Sequence, residues 1–229
     1  MHLGLIGGIG PKATSFYYQR VVQLFSGKPL HLTIAHTDIG LLAKNMASGD
    51  KHAQAEEYRR VTQQLAAAGA DRVAITSLGG SFCADEFAAI APLPQIDGPA
   101  AMAEHLRGVG IKTVGILGTT TVMSSRLYGK LDGVCAALTP ADDGGDAMEQ
   151  VHADYAALAI NGAATAEQRE RLFAAAQRLC DRGAQAVLLG GTDLNVVFDG
   201  SEPVPVIDSA EVHVQAIVRE ALDAARSNP

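Results

Sequence analysis

Ala67-Ala68-Gly69-Ala70-Asp71-Arg72-Val73-Ala74-Ile75-Thr76-Ser77-Leu78-Gly79-Gly80 and Cys180-Asp181-Arg182-Gly183-Ala184-Gln185-Ala186-Val187-Leu188-Leu189-Gly190-Gly191-Thr192-Asp193 follow one pattern. Each starts in a helical tail, breaks at a glycine, runs through an apolar stretch of strand length and closes on a glycine-rich turn. The preceding segments agree as well. Lys51 to Ala68 carries Tyr58, Val61 and Leu65 at helical spacing, and Glu167 to Asp181 carries Leu172, Ala175, Ala176 and Leu179 on one face. The same helix–strand–turn unit therefore occurs twice, and the chain reads as a pseudo-duplicated protein.

Outward from these units the alternation continues. Leu3 to Ile6 is a first strand, followed by a helix over Pro11 to Phe25, with proline suited to the first turn. Leu30 to His36 is a second strand, and Phe82 to Ile90 a helix after the first glycine turn. Lys112 to Leu117 opens the second half as Leu3 to Ile6 opens the first, with a helix through Leu127 and Leu131 after its threonine turn. Strands alternating with helices predict parallel sheets. The segment Leu93 to Ala100 is the natural crossover, and the matching stretch at 203–208 returns the chain before a closing helix, Ser209 to Ala225. The fold class is α/β, with two Rossmann-like lobes and an interlobe cleft. The first lobe is 1–97 with 206–229 and the second is 98–205. Ligands of such sheets sit beyond the carboxyl ends of the strands.

Composition narrows the function. Of 229 residues 48% are hydrophobic and 19% charged, which suits a globular α/β protein, and the formal net charge is −7. Basic residues form no run, so neither nucleic acid nor an anionic membrane surface is an expected partner. No apolar stretch reaches 18 residues and no leader pattern is present, so the expected location is the cytoplasm. Cys83, Cys135 and Cys180 are odd in number, without a CxxC, and no Cys/His set suggests a metal. The turn Gly7-Gly8-Ile9-Gly10-Pro11-Lys12 lacks the G-x-G-x-x-G spacing, and Pro11 removes a donor that a phosphate would need.

Four stretches resemble the aspartate/glutamate racemase superfamily, the PLP-independent amino-acid racemases. They are Gly7 to Thr14, His36 to Asp50, Val114 to Thr121 with Tyr128, and Leu189 to Leu194 followed by Val206 to Ser209. The resemblance implies a small carboxylic or amino acid as ligand, no cofactor and a homodimer. It also implies a two-base mechanism in which one cysteine from each lobe works on opposite faces of Cα.

Here the sequence departs from the resemblance. The first cysteine position falls on Ser77. The asparagine, threonine and histidine positions beside it become Leu78, Gly79 and Ser81, and the second cysteine falls on Gly191. A serine hydroxyl needs an adjacent base, and glycine offers none. Asp193 stands where the resemblance expects glutamate and reads either as a cap of its turn or as an acid–base group. His36, at a strand end, is a second candidate, or else a surface histidine. Ser77, Asp193 and His36 are therefore the catalytic candidates. Gly8, Ile9, Leu78, Gly79, Gly80, Thr119, Thr120, Thr121, Gly191 and Thr192 are the substrate-binding candidates, as backbone or hydroxyl donors at helix starts or as pocket walls. The glycines also read simply as tight turns. Leu78 and Gly79 predict a substrate with an apolar or bulky part. His105, His152 and His213 fall in helices without a partner motif and receive no role.

Three functions stand open. One is a cysteine-independent isomerase or lyase working through an enolate-type intermediate. Another is a silent binder of carboxylates or amino acids. The third is a residual amino-acid racemase.

Overall fold

The computed structural model describes residues 1–8 and 10–227, with side chains through residue 224. By its contacts the chain divides into two compact units, Met1–Ala101 with the segment from Ala210 onward, and Met102–Ser209.

The first unit begins with β1 (His2–Gly7), α1 (Pro11–Leu24), β2 (His31–His36), α2 (Ile39–Ser48), α3 (Lys51–Ala67) and β3 (Arg72–Ile75). A 3-10 turn at Gly79–Cys83 leads into α4 (Ala84–Ile90), and α5 (Gly98–Gly108) carries the chain to the second unit. The three strands are parallel in the order β2-β1-β3. Leu5 of β1 and Ala74 of β3 face a core shared with Tyr17 and Val21 of α1, and with Val214 and Ile217 of the last helix. Ile6, Val73 and Ile75 face a second core with Tyr58, Val61 and Leu65 of α3 and Phe87 of α4. The alternation of faces along each strand thus gives the sheet a helical layer on both sides.

The second unit contains β4 (Thr113–Gly118), α6 (Thr120–Ser124), β5 (Ala136–Leu138), α7 (Ala147–Asn161), α8 (Ala166–Asp181), β6 (Ala186–Gly190), a 3-10 turn at Thr192–Val196 and β7 (Val206–Asp208). Its strands are parallel in the order β5-β4-β6-β7. α9 (Ser209–Ser227) then joins the first unit.

The duplication is visible strand by strand. β1 is central among β2 and β3 as β4 is central among β5 and β6. Asp71 N–H donates to the His2 carbonyl (2.8 Å), and Gln185 N–H donates to the Thr113 carbonyl (2.9 Å), at matching points of the two sheets. Beyond β3, Val73 N–H donates to Pro94 O at 3.0 Å and Val73 bridges in parallel to Gln95. Beyond β6, Val187 N–H donates to Pro205 O at 2.8 Å and pairs with Val206. The two proline-bearing crossovers therefore do the same work, each adding an outer extended segment before a helix starts. The stretch at 203–208 pairs inside the second sheet before the chain turns back.

One helical expectation is corrected. The helix after β4 ends at Ser124 rather than running through Leu127 and Leu131. Arg126, Leu127 and Tyr128 have φ of 49°, 60° and 59°, a left-handed run that no helix accommodates. Ser125 Oγ accepts the Tyr128 amide at 3.0 Å, while Leu127 and Leu131 are still buried, so the apolar spacing is satisfied by turns.

Candidate functional site

In the first unit the candidates gather at the carboxyl ends of three adjacent parallel strands, where the peptide chain must turn and side chains are free to converge. Gly8 follows β1 with φ +146°, and a Cβ there would come within 2.6 Å of Thr37 Cγ2 and 2.8 Å of the Thr37 carbonyl. Glycine is needed here for both conformation and space. Ile9, the other expected contact in this turn, lies outside the described residues.

Ser77 follows β3 and is partly exposed. Its Oγ accepts the Gly80 amide at 3.1 Å and its carbonyl accepts the Ser81 hydroxyl at 2.9 Å, so the serine caps the 3-10 turn that it precedes. The Gly80 carbonyl is held by the hydroxyl of buried Tyr58 at 3.1 Å. Leu78 is buried, and Gly79 faces Met46, whose Cε would lie 3.5 Å from an added Cβ. An apolar wall at this strand end follows.

His36 ends β2 in register with Gly7 and is exposed, without a hydrogen-bond partner for its ring among the described residues. Its neighbour Thr37 is buried and donates to Glu57 Oε1 at 2.6 Å. Arg60 grips the same carboxylate with two hydrogen bonds, 2.6 and 2.9 Å. Those bonds, reinforced by Thr37, hold Glu57 below the usual carboxylate range despite the opposing effect of burial. This anchored pair, which sequence patterning did not single out, fixes the strand end beside Gly8.

The second unit builds a corresponding group at the ends of β4 and β6. Thr119 caps α6, its Oγ1 accepting the Val122 amide at 3.2 Å. The Thr120 amide donates to Nδ1 of His152 at 3.2 Å, so a neutral ring carries its proton on Nε2. Thr121 is exposed, and its carbonyl accepts the Ser125 hydroxyl at 2.6 Å. Gly191 precedes the turn Thr192–Val196, in which Asp193 is buried at 8% exposure. The ring of Tyr155 lies against Gly191: a Cβ on that glycine would fall 2.6 Å from both Cε2 and Cζ of the tyrosine and closer still to its hydroxyl. Burial, and then the nearby Asp193 charge, push the Tyr155 phenol above its ordinary range. The neighbouring helix is locked in place through Asp154, which receives 2.6 and 2.9 Å hydrogen bonds from Arg171 of α8.

His152 and Tyr155, three residues apart and so on one helical face, were not legible as site residues. Their segment has no glycine turn, and only the packing of α7 reveals them.

Cys135 and Cys180 stand away from these strand ends, while Cys83 closes the 3-10 turn after β3 with its Sγ 4.0 Å from the Gly80 carbonyl. Cys83 is fully buried in the core of the first unit, and desolvation, with Glu86 nearby, pushes its thiol up to about 12. Cys135 directly precedes β5 and Cys180 lies in α8, and burial raises both thiols. Among the described residues no group of three His, Cys, Asp or Glu side chains is set to hold a metal ion, and no helix is long and apolar enough to cross a membrane.

Two α/β units, each built on a parallel sheet with polar side chains and glycine turns at the carboxyl strand ends, define a duplicated α/β protein. The sequence model of the Asp/Glu/Hydantoin racemase family matches residues 6–217, and the chain belongs to that family. Solved structures share the fold. A Yersinia pestis chain proposed to be an Asp/Glu racemase is 23% identical with a TM-score of 0.82, the match covering 97% of this chain and 100% of that one. An aspartate racemase homologue from Pyrococcus horikoshii is 23% identical with a TM-score of 0.78, covering 96% and 99%. Arylmalonate decarboxylase is 16% identical with a TM-score of 0.56, covering 96% and 92%.

Proposed function

We propose that the protein is an enzyme that moves a proton at the carbon beside a carboxylate, in a small carboxylic or amino acid, without a catalytic thiol. The observation that carries this reading is where the cysteines lie. Cys83 is sealed in a core with its thiol pushed up to about 12, and neither Cys135 nor Cys180 stands at the end of β3 or β6. Those ends hold hydroxyls and an acid instead. Ser77, Asp193 and His36 are the proposed acid–base groups. Gly8, Ile9, Leu78, Gly79, Gly80, Thr119, Thr120, Thr121, Gly191 and Thr192 are the proposed substrate contacts.

An isomerase or a lyase fits this set. In either, the bond broken at Cα leaves its electron pair on an enolate-type carboxylate, and amide and hydroxyl donors stabilise the charge that develops. The likeness to arylmalonate decarboxylase supports a scaffold that serves reactions other than racemisation. The buried Leu78 beside Gly79 supports a substrate with an apolar part.

A second reading, a carboxylate binder without turnover, has two observations in its favour. Ser77 Oγ is already engaged by the Gly80 amide, and Gly191 has no side chain. Incubation in D₂O with acidic amino acids, unsaturated acids and malonate-type acids, followed by NMR, separates the two. Deuterium at Cα or a new product is expected. Ligand-induced shifts without exchange or product across the panel would leave the binder.

A further inference from the structure

Gly191 has φ −175°, an extended backbone that any residue adopts, so its conformation does not call for glycine. Space does. The ring of Tyr155 fills the volume into which a side chain at 191 would grow, its Cζ and Cε2 only 2.6 Å from the ideal Cβ position. A phenol supplied by α7 thus takes the place of a side chain supplied by the strand end. Its hydroxyl has no hydrogen-bond partner among the described residues, although the buried Asp193 lies near enough to act on it electrostatically.

The helix behind it is fixed rather than loose. Val151, Asp154 and Leu158 form its buried face, Arg171 clasps Asp154, and the Thr120 amide holds His152 one turn before the tyrosine. A donor held on a rigid element at the carboxyl end of a parallel sheet is what proton delivery requires.

From this geometry, and resting on the function proposed above, we infer that Tyr155 is a catalytic acid of the second unit, its Oη giving a proton to the carbanionic carbon of an enolate-type intermediate. The Tyr155 O–H bond breaks, a C–H bond forms from the electron pair that the departing proton or carbon dioxide left on the substrate, and the phenolate takes a proton from water. Burial and the Asp193 charge both disfavour the phenolate, so the resting group is the protonated phenol and it acts first as donor. Delivery then comes from the β6 side, which gives the product one configuration.

The test uses the full-length chain with the acid from the D₂O panel that it turns over fastest. Tyr155→Phe keeps the ring against Gly191 and removes only the hydroxyl. A fall in kcat of about 100-fold or more is expected, with KM within about threefold, on the usual scale of a general acid. Gly191→Ala keeps the hydroxyl but forces the ring from the strand end, and the same loss is expected. Thermal melting and ligand-induced NMR shifts establish that each variant is folded and binds. A Tyr155→Phe protein with kcat within threefold of the parent overturns the role of Tyr155 and leaves the proposed function standing. A parent protein that turns over no acid on the panel overturns both.

Discussion

Gly115 in β4 lies directly beneath Leu179 of α8, so close that a Cβ on the glycine would sit 2.9 Å from the leucine's own Cβ. Gly4 in β1 has the same relation to Leu65 of α3, with the leucine Cδ1 at 3.0 Å. In both units a glycine in the central strand lets the helix settle onto the sheet. Gly115→Ala is expected to destabilise by about 1–3 kcal/mol, because the near atom is a leucine Cβ that cannot swing away. Gly4→Ala meets side-chain ends first, Leu65 Cδ1 at 3.0 Å and Val73 Cγ1 at 3.1 Å, with the Arg72 carbonyl oxygen farther off at 3.3 Å, and should cost less. Urea unfolding of the two variants side by side checks the order.

The turn after β1 makes a harder demand. Gly8 combines a φ of +146° with close approach to Thr37. Gly8→Ala is expected to cost about 2–4 kcal/mol, from steric overlap together with backbone strain of about 1–3 kcal/mol. Turnover should fall with it, since the strand end moves. Melting temperature and D₂O exchange measured on one preparation test both.

Stability should fall in mild acid. His213 is buried, with Nε2 donating to the Ile96 carbonyl at 2.8 Å and Nδ1 accepting from the Tyr17 hydroxyl at 2.9 Å, and desolvation lowers its pKa to about 4. The unfolded chain, with an ordinary histidine, binds the proton first. The stabilisation from keeping His213 neutral, about 3 kcal/mol, is therefore fully present above about pH 6.5 and lost as pH falls towards 4. Melting curves between pH 7.5 and 4 should drop in that window. His213→Gln should be less stable at neutral pH and flatter with acid. An equal slope in both proteins would remove the histidine as its source.

Arg171 tests how α7 is held. Its partner Asp154 is buried, with a side-chain exposure of 4%. Arg171→Ala leaves that carboxylate without its guanidinium partner and is expected to lower the unfolding midpoint. Arg171→Lys, keeping the charge but losing the bidentate grip, should recover only part of this loss. Chemical denaturation of the two variants decides whether bidentate geometry matters beyond charge.

The sheets were legible because their signal is local. Apolar runs such as Val73 to Ile75 and Val187 to Leu189 end at glycine turns, and α3 and α8 show a clear apolar face. The turn at Arg126 to Tyr128 was not legible, since Leu127 and Leu131 have helical spacing whether or not the backbone is helical. Among the proposed site residues, Ser77 and Asp193 stand at strand ends that the sequence marks. Tyr155 carries no such mark. It reaches Gly191 by tertiary packing of a helix 36 residues upstream in sequence, and the missing side chain at 191 makes sense only once that ring is seen.

The central claim is proton transfer without a thiol, and the most direct measurement is Cα deuterium incorporation by the triple variant Cys83→Ala, Cys135→Ala, Cys180→Ala in D₂O. Cys83 is core, so its loss should lower the melting temperature, and the assay belongs well below that temperature. The rate should stay within about twofold of the parent. Loss of exchange in a folded, ligand-binding triple variant would contradict the claim and return the chemistry to a cysteine.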